Sequence, residues 1–68
     1  MRYPNTLRQA REAAGMSPQE LADAADISRT HVGVLEAGRS APSLPIARRV
    51  AAALKTTPEA IWSAEEVA

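Results

Sequence analysis

The stretch from Ser17 to Gly38, SPQELADAADISRTHVGVLEAG, contains the start and stop signals of two short helices. Ser17 followed three residues later by Glu20 forms a capping box, and Pro18 occupies a first-turn position where no backbone N–H is needed. Asp26 is one of the few residues besides glycine that tolerates the left-handed backbone at a helix end. This stretch therefore predicts one helix from Pro18 to about Asp26 and a second helix after it.

Each of the two helices has apolar residues at helical spacing, so each can bury one face. Ser28 can cap the second helix, whose apolar positions are Val32 and Leu35, and Gly38 ends it. The apolar face of the first helix consists of Leu21, Ala22 and Ala25. Two helices of about eight residues, joined by about three, are the layout of a helix-turn-helix.

The flanking sequence predicts three more helices and no strand. We expect a first helix over about residues 5–14 and a fourth helix that Ser43 caps. A short fifth helix begins after Thr57 and carries Ile61 and Trp62 on its apolar side. Because β-branched residues are few and no window alternates over five positions, the predicted class is all-α with five helices.

Composition narrows the function classes. The chain has 68 residues, no cysteine and one histidine, so we expect one domain over 1–68, a frayed tail at 63–68 and no metal site. It has neither a glycine-rich phosphate loop nor a supported pair of catalytic acids, so we expect no enzyme and no cofactor. No apolar run resembles a signal peptide or membrane span, which predicts a cytoplasmic protein without membrane contact.

The charge balance is neutral, with eight Lys and Arg against eight Asp and Glu. Neutrality is weak evidence against nucleic-acid binding, because phosphate neutralisation usually requires a basic excess. The placement of the charges matters more than their sum: Arg29 and Arg39 flank the second helix of the motif. A neutral chain with this placement can still present a basic face.

Residues along nearly the whole chain match one known family pattern. They are Leu7, Arg11, Gly15, Met16-Ser17, Glu20-Leu21-Ala22, Ile27-Ser28, Val32, Leu35-Glu36, Gly38, Pro42-Ser43-Leu44, Ala51, Ala53-Leu54 and Ile61-Trp62. In these residues the chain resembles the Cro/repressor (XRE) family of helix-turn-helix regulators, in its minimal single-domain form. The resemblance implies a compact five-helix, lambda-repressor-like domain that binds double-stranded operator DNA, commonly as a homodimer. The third helix, about residues 29–37, would enter the major groove.

Four residues of that helix are candidate base contacts: Arg29, Thr30, His31 and Val34. The guanidinium of Arg29 can bond guanine O6 and N7 together, and Thr30 offers a hydroxyl and a methyl group to a base edge. Val34 points away from the predicted core, and a thymine methyl group is its natural partner. The alternative for each is an ordinary surface residue. Gly33 beside them indicates close approach of the helix either to DNA or to a neighbouring helix.

Candidate phosphate contacts surround the same helix. Ser28 would complete a helix N-terminus that can also accept a phosphate, although capping alone explains it. Arg39 and Ser40 follow the helix, where the family contacts the DNA backbone. Many relatives carry glutamine at the position of Pro18, where it bonds a phosphate, so here Gln19 would have to replace it.

Two further features are structural. In the family, an arginine and a glutamate at the positions of Arg11 and Glu36 pair across the first and third helices, so we expect an ion pair here. Ile61 and Trp62 form either a dimer surface or part of the core.

The resulting hypothesis is a sequence-specific transcriptional regulator, a repressor that acts as a dimer without a small-molecule effector. The alternative is a protein-interaction module of the same fold, an antitoxin or adaptor, which neutrality and Pro18 favour slightly. A nonspecific architectural protein would need more lysine and arginine.

Overall fold

Five α-helices account for most of residues 5–62, the part of the chain that the computed structural model describes. They are α1 (Leu7–Ala13), α2 (Pro18–Ala25), α3 (Arg29–Glu36), α4 (Leu44–Ala53) and α5 (Pro58–Ile61). The predicted all-α class with five helices is confirmed over this range. The tail that we expect to fray, 63–68, lies outside the described residues. Within residues 5–62 there is no helix with the length and apolar character needed to cross a membrane.

The capping box at the start of α2 forms as predicted. The Glu20 backbone N–H donates to Ser17 Oγ at 3.1 Å, and the Ser17 N–H donates to Glu20 Oε1 at 2.7 Å. At the other end Asp26 takes the left-handed conformation, with φ 58° and ψ 47°. Both ends of α2 are therefore fixed by local sequence, and the turn into α3 follows from them.

Serine hydroxyls cap two other helices in the same way. Ser28 Oγ accepts from the His31 N–H at 3.0 Å at the start of α3, and Ser43 Oγ accepts from the Ile46 N–H at 3.3 Å at the start of α4. A cap of this kind contributes about 1 kcal/mol of stability. Gly38, with φ 73°, turns the chain after α3 in a conformation that favours glycine.

A single apolar core joins all five helices. Its buried residues are Leu7, Leu21, Ala22, Ala25, Val32, Leu35, Ala47, Val50, Ala51, Ile61 and Trp62, with Ile27, Ile46, Ala53 and Leu54 packed against them. The buried alanines all lie on α2 and α4, which pack against each other. Short side chains let two helices approach closely. α2 thus packs against both α3 and α4.

Trp62 belongs to the core. Its exposed fraction is 1%, and that of Ile61 is 4%. Of the two alternatives for this pair, the dimer surface is therefore wrong, because the protein's own core covers both side chains. The four residues of α5 are too few for helical periodicity to decide which side is buried. The indole Nε1 has no hydrogen-bond partner among residues 5–62.

The segment before α1 ties the N-terminal part to α5. The Thr6 backbone N–H donates to the Ile61 carbonyl at 3.2 Å, and Thr6 Oγ1 donates to the Ala60 carbonyl at 3.2 Å. α1 begins at Leu7, two residues later than about residue 5 as predicted, because Asn5 acts before the helix. Its Oδ1 accepts from the Leu7 N–H at 3.0 Å.

Candidate functional site

α3 turns one face to the core and the opposite face to solvent. Val32 and Leu35 are buried, while Arg29, Thr30 and Gly33 are exposed. Helical geometry causes this division, because residues three and four apart share a face. The exposed face is thus composed of the side chains that the core does not use.

An open concavity of about 370 Å³ lies along this exposed face of α3 and the turn after it. Its lining residues are Arg29, Thr30, Gly33, Val34, Ala37 and Arg39. No carboxylate is among these lining residues, and neither arginine makes an ion pair with any residue of 5–62. The lining of the concavity therefore combines three small apolar residues, Gly33, Val34 and Ala37, with two arginines that form no ion pair within residues 5–62.

Gly33 leaves space in the concavity because it has no side chain. A Cβ built on Gly33 would meet no atom of the described residues within 4 Å, outside its own helix and chain neighbours. Packing against a neighbouring helix, one of the two explanations offered by the sequence, is therefore wrong. A glycine inside a helix still costs about 0.5–1 kcal/mol relative to alanine. Nothing within residues 5–62 offsets this cost.

Arg11 and Glu36 hold the far end of α3. Arg11 Nε donates to Glu36 Oε2 at 2.6 Å, and Nη2 lies 3.5 Å from Oε1. The side chains are only 10% and 14% exposed, and Arg11 Nη1 also donates to the Met16 carbonyl at 2.9 Å. The hydrogen bond with Glu36 raises the pKa of Arg11, against the opposing effect of burial. The guanidinium thus connects α1, the loop before α2 and the last residue of α3.

Asn5 makes a second connection to the end of α3 that we do not predict from the sequence. Its Nδ2 donates to the Leu35 carbonyl at 2.9 Å, across 30 residues of sequence. The same side chain bonds the first N–H of α1 through Oδ1. Asparagine near a helix start signals capping, but only the folded chain shows where the remaining amide donor points.

Arg49 connects α4 to the turn between α2 and α3. Its Nη2 donates to the Asp26 carbonyl at 3.4 Å, a long hydrogen bond between exposed residues 23 apart. Periodicity places Arg49 on the exposed side of α4, but gives no signal for this contact.

The predicted contact residues divide into two groups. Four of them line the concavity: Arg29, Thr30, Val34 and Arg39. The other four do not: His31, Ser28, Gln19 and Ser40. Within the described residues the second group has intramolecular roles. Ser28 caps α3, His31 supplies the capped N–H, Gln19 Nε2 donates to Asp23 Oδ1 at 2.9 Å, and Ser40 Oγ donates to the Ala41 carbonyl at 3.3 Å.

The site has no metal-binding character. Over residues 5–62, no group of three or more His, Cys, Asp or Glu side chains lies close enough to hold a metal ion. The concavity combines the cationic hydrogen-bond donors of two arginines with small apolar groups. Such a surface suits an anionic partner that also offers apolar groups.

Comparison with known proteins gives the same helix-turn-helix architecture as the structure. A family model described as helix-turn-helix matches residues 7–61, which include all five helices. No curated protein matches the chain.

Proposed function

Because this chain belongs to the Cro/C1-type (XRE) family of helix-turn-helix DNA-binding regulators, we propose that it is a sequence-specific repressor of transcription. The N-terminal half of α3 enters the major groove of double-stranded operator DNA. Two copies bind two half-sites about 34–36 Å apart, as helix-turn-helix dimers do, and exclude other proteins from the operator. The proposal includes a cytoplasmic location and no small-molecule effector.

The concavity between Arg29 and Arg39 is the observation that carries this proposal. Arg29 is the first residue of α3, where the positive end of the helix dipole disfavours a cation. An arginine in that position gains most when an acceptor approaches from outside, and guanine O6 and N7 match its two donors. Arg39 lies beyond the other end of α3, where a phosphate would neutralise it.

The roles of the remaining residues follow from their exposure. Thr30 and Val34 line the concavity and would contact base edges, while His31 is half-buried beside them. Ser28 would place the N-terminus of α3 against a phosphate. Ser40, next to Arg39 in the sequence, would be a further phosphate contact. Gln19 would first have to leave Asp23, its partner at 2.9 Å. Affinity from α2 should therefore be small.

Selection from a pool of random duplexes tests the proposal directly. We expect enrichment of a motif with two-fold symmetry, and binding that weakens as salt rises because phosphate contacts release counterions. Arg29→Ala should relax the preference for the selected duplex over scrambled duplexes. A selection that returns no motif would contradict the proposal, and a motif without symmetry would contradict the dimer.

A protein-interaction module remains the second candidate, because two observations favour it. Pro18 at the start of α2 supplies no N–H to a phosphate, and Gln19 is held by Asp23. Under this alternative, Arg29→Ala and Arg39→Ala would leave any residual duplex binding unchanged. The selection experiment therefore separates the two candidates.

A further inference from the structure

We propose that the concavity at Gly33 recognises the C5-methyl group of a pyrimidine, and that base preference consists of this contact together with the guanine contact of Arg29. The inference rests on the proposed function and specifies which chemical groups of the operator are distinguished. It makes Gly33 and Val34 the specificity-determining residues beside Arg29.

The hydrogen-bonding side chains of α3 are too few to recognise every base. Adenine is normally recognised by asparagine or glutamine, and cytosine by aspartate or glutamate. The α3 sequence RTHVGVLE contains neither amide side chain, and its one carboxylate, Glu36, is bonded to Arg11 at 2.6 Å. Gln19 of α2 is bonded to Asp23. For this helix, the thymine methyl group is then the chief feature that distinguishes an A·T pair from other base pairs.

The shape of the concavity fits a methyl group. Gly33, Val34 and Ala37 are its apolar lining residues, and a Cβ at Gly33 would meet nothing within 4 Å, so there is open space above the helix backbone. Val34 is half-buried, and its β-branched side chain has one strongly preferred rotamer in a helix. The apolar wall is therefore fixed before DNA arrives, which limits the entropy lost on binding.

The charges around the concavity identify the occupant as DNA and not an apolar protein helix. Arg29 and Arg39 are among its lining residues and no carboxylate is, so its occupant should be anionic around an apolar group. A thymine or a 5-methylcytosine in the major groove satisfies this description, since its methyl group lies between the phosphate backbones of the two strands. The two bases share the recognised chemistry.

Removing only the methyl group is the sharpest test. In the duplex obtained by selection, each thymine is replaced in turn by deoxyuridine, which keeps every hydrogen-bonding group. We expect binding to weaken about three- to fivefold at one position in each half-site, the effect of withholding one methyl group from an apolar contact. Cytosine and 5-methylcytosine at the same position then show whether the methyl group suffices on a G·C pair or only in thymine.

Two variants connect the methyl effect to the concavity. Val34→Thr keeps the volume but replaces one methyl group by a hydroxyl, and Gly33→Ala places a methyl group of the protein in the space that we propose for the pyrimidine methyl group. Both should reduce the ratio of thymine to deoxyuridine affinity towards one. Gly33→Ala should also raise the thermal stability of the protein without DNA, because alanine favours the helix. Ala52→Ser, an exposed substitution on α4 outside the concavity, should leave the ratio unchanged.

The outcomes separate this inference from the proposed function. A protein that selects a motif and binds thymine and deoxyuridine duplexes equally at every position would overturn this inference alone. A ratio that Val34→Thr and Gly33→Ala both leave intact would overturn it as well. A protein that binds no duplex would overturn the inference and the proposed function together.

Discussion

Arg11 Nε lies 2.6 Å from Glu36 Oε2 and joins α1 to the last residue of α3 across 25 residues of sequence. The contact is largely shielded from water, and a second guanidinium donor reaches the Met16 carbonyl at 2.9 Å. The C-terminal end of α3 is therefore held to α1 and to the loop before α2. In the first turn of α3 the side chains of Arg29 and Thr30 are exposed, while Val32 is buried in the core.

Removing one partner of this pair should destabilise the fold strongly. Arg11→Ala leaves the Glu36 carboxylate buried without its partner, and we expect a loss of about 3–5 kcal/mol in the free energy of unfolding, measured with urea. Arg8→Ala is the matched control, because Arg8 and Glu12 form an exposed ion pair at 3.4 Å. Its effect should stay below about 1 kcal/mol. Equal losses in the two variants would show that the buried pair has no special role.

The pH dependence of the pair follows from the raised pKa of Arg11. A cation whose pKa is higher in the folded state stabilises the fold at all pH values below its unfolded pKa, and loses this contribution as the pH rises through the folded pKa. For arginine both values lie far above neutrality. Urea titrations of Arg11→Lys and of the wild type should therefore run in parallel from pH 7 to about pH 9. If the difference in unfolding free energy between the two proteins changed between pH 7 and about pH 9, Arg11 would not be a cation that stays charged throughout this range.

Ser28 and Ser43 form a matched pair for separating capping from DNA contact. Each hydroxyl accepts from the backbone N–H three residues later, at 3.0 and 3.3 Å. Ser28→Ala and Ser43→Ala should each cost about 1 kcal/mol of stability. Only Ser28→Ala should also weaken operator binding, because Ser28 caps α3, the helix that we propose enters the major groove. Parallel losses of affinity in fluorescence anisotropy would assign Ser28 to capping alone.

Arg29 and Arg39 should differ in the kind of affinity that they provide. Arg29→Ala should lose about 1–3 kcal/mol of discrimination at one base pair, because it removes the proposed bidentate contact to guanine. Arg39→Ala should weaken all duplexes about equally and reduce the salt slope by about one. Binding isotherms on cognate and scrambled duplexes at several salt concentrations measure both effects. If Arg39→Ala instead lost discrimination between cognate and scrambled duplexes, Arg39 and not Arg29 would be the base contact.

Asp23 should limit the affinity for DNA. Its carboxylate holds the Gln19 amide at 2.9 Å and adds a negative charge to an exposed side of α2. Asp23→Ala frees the amide for a phosphate, and we expect binding to strengthen severalfold. Asp23→Ala combined with Gln19→Ala should keep the gain from the lost charge and lose the gain from the amide. An Asp23→Ala protein with unchanged affinity would show that Gln19 makes no contact.

The elements set by neighbouring residues could be predicted from the sequence, and those set by distant contacts could not. The capping box at Ser17 and the left-handed Asp26 depend on local chemistry, so the bounds of α2 were accessible. The bonds from Asn5 to the Leu35 carbonyl and from Arg49 to the Asp26 carbonyl join residues that only the folded chain brings together. The hydrogen bond between Gln19 and Asp23 is different, because it joins residues four apart on α2 and was within reach of the sequence, although we do not predict it above.

The two faces of α3 contribute differently to the stability of the fold. Val32 and Leu35 belong to the core, and Glu36 is bonded to Arg11, whereas Arg29, Thr30, Gly33 and Val34 are not part of the core cluster. Substitutions at positions 29, 30, 33 and 34 can therefore accumulate without unfolding the domain. Duplicated copies of such a gene could diverge to different operators through a few changes, and the same positions are where an engineer would retarget the protein.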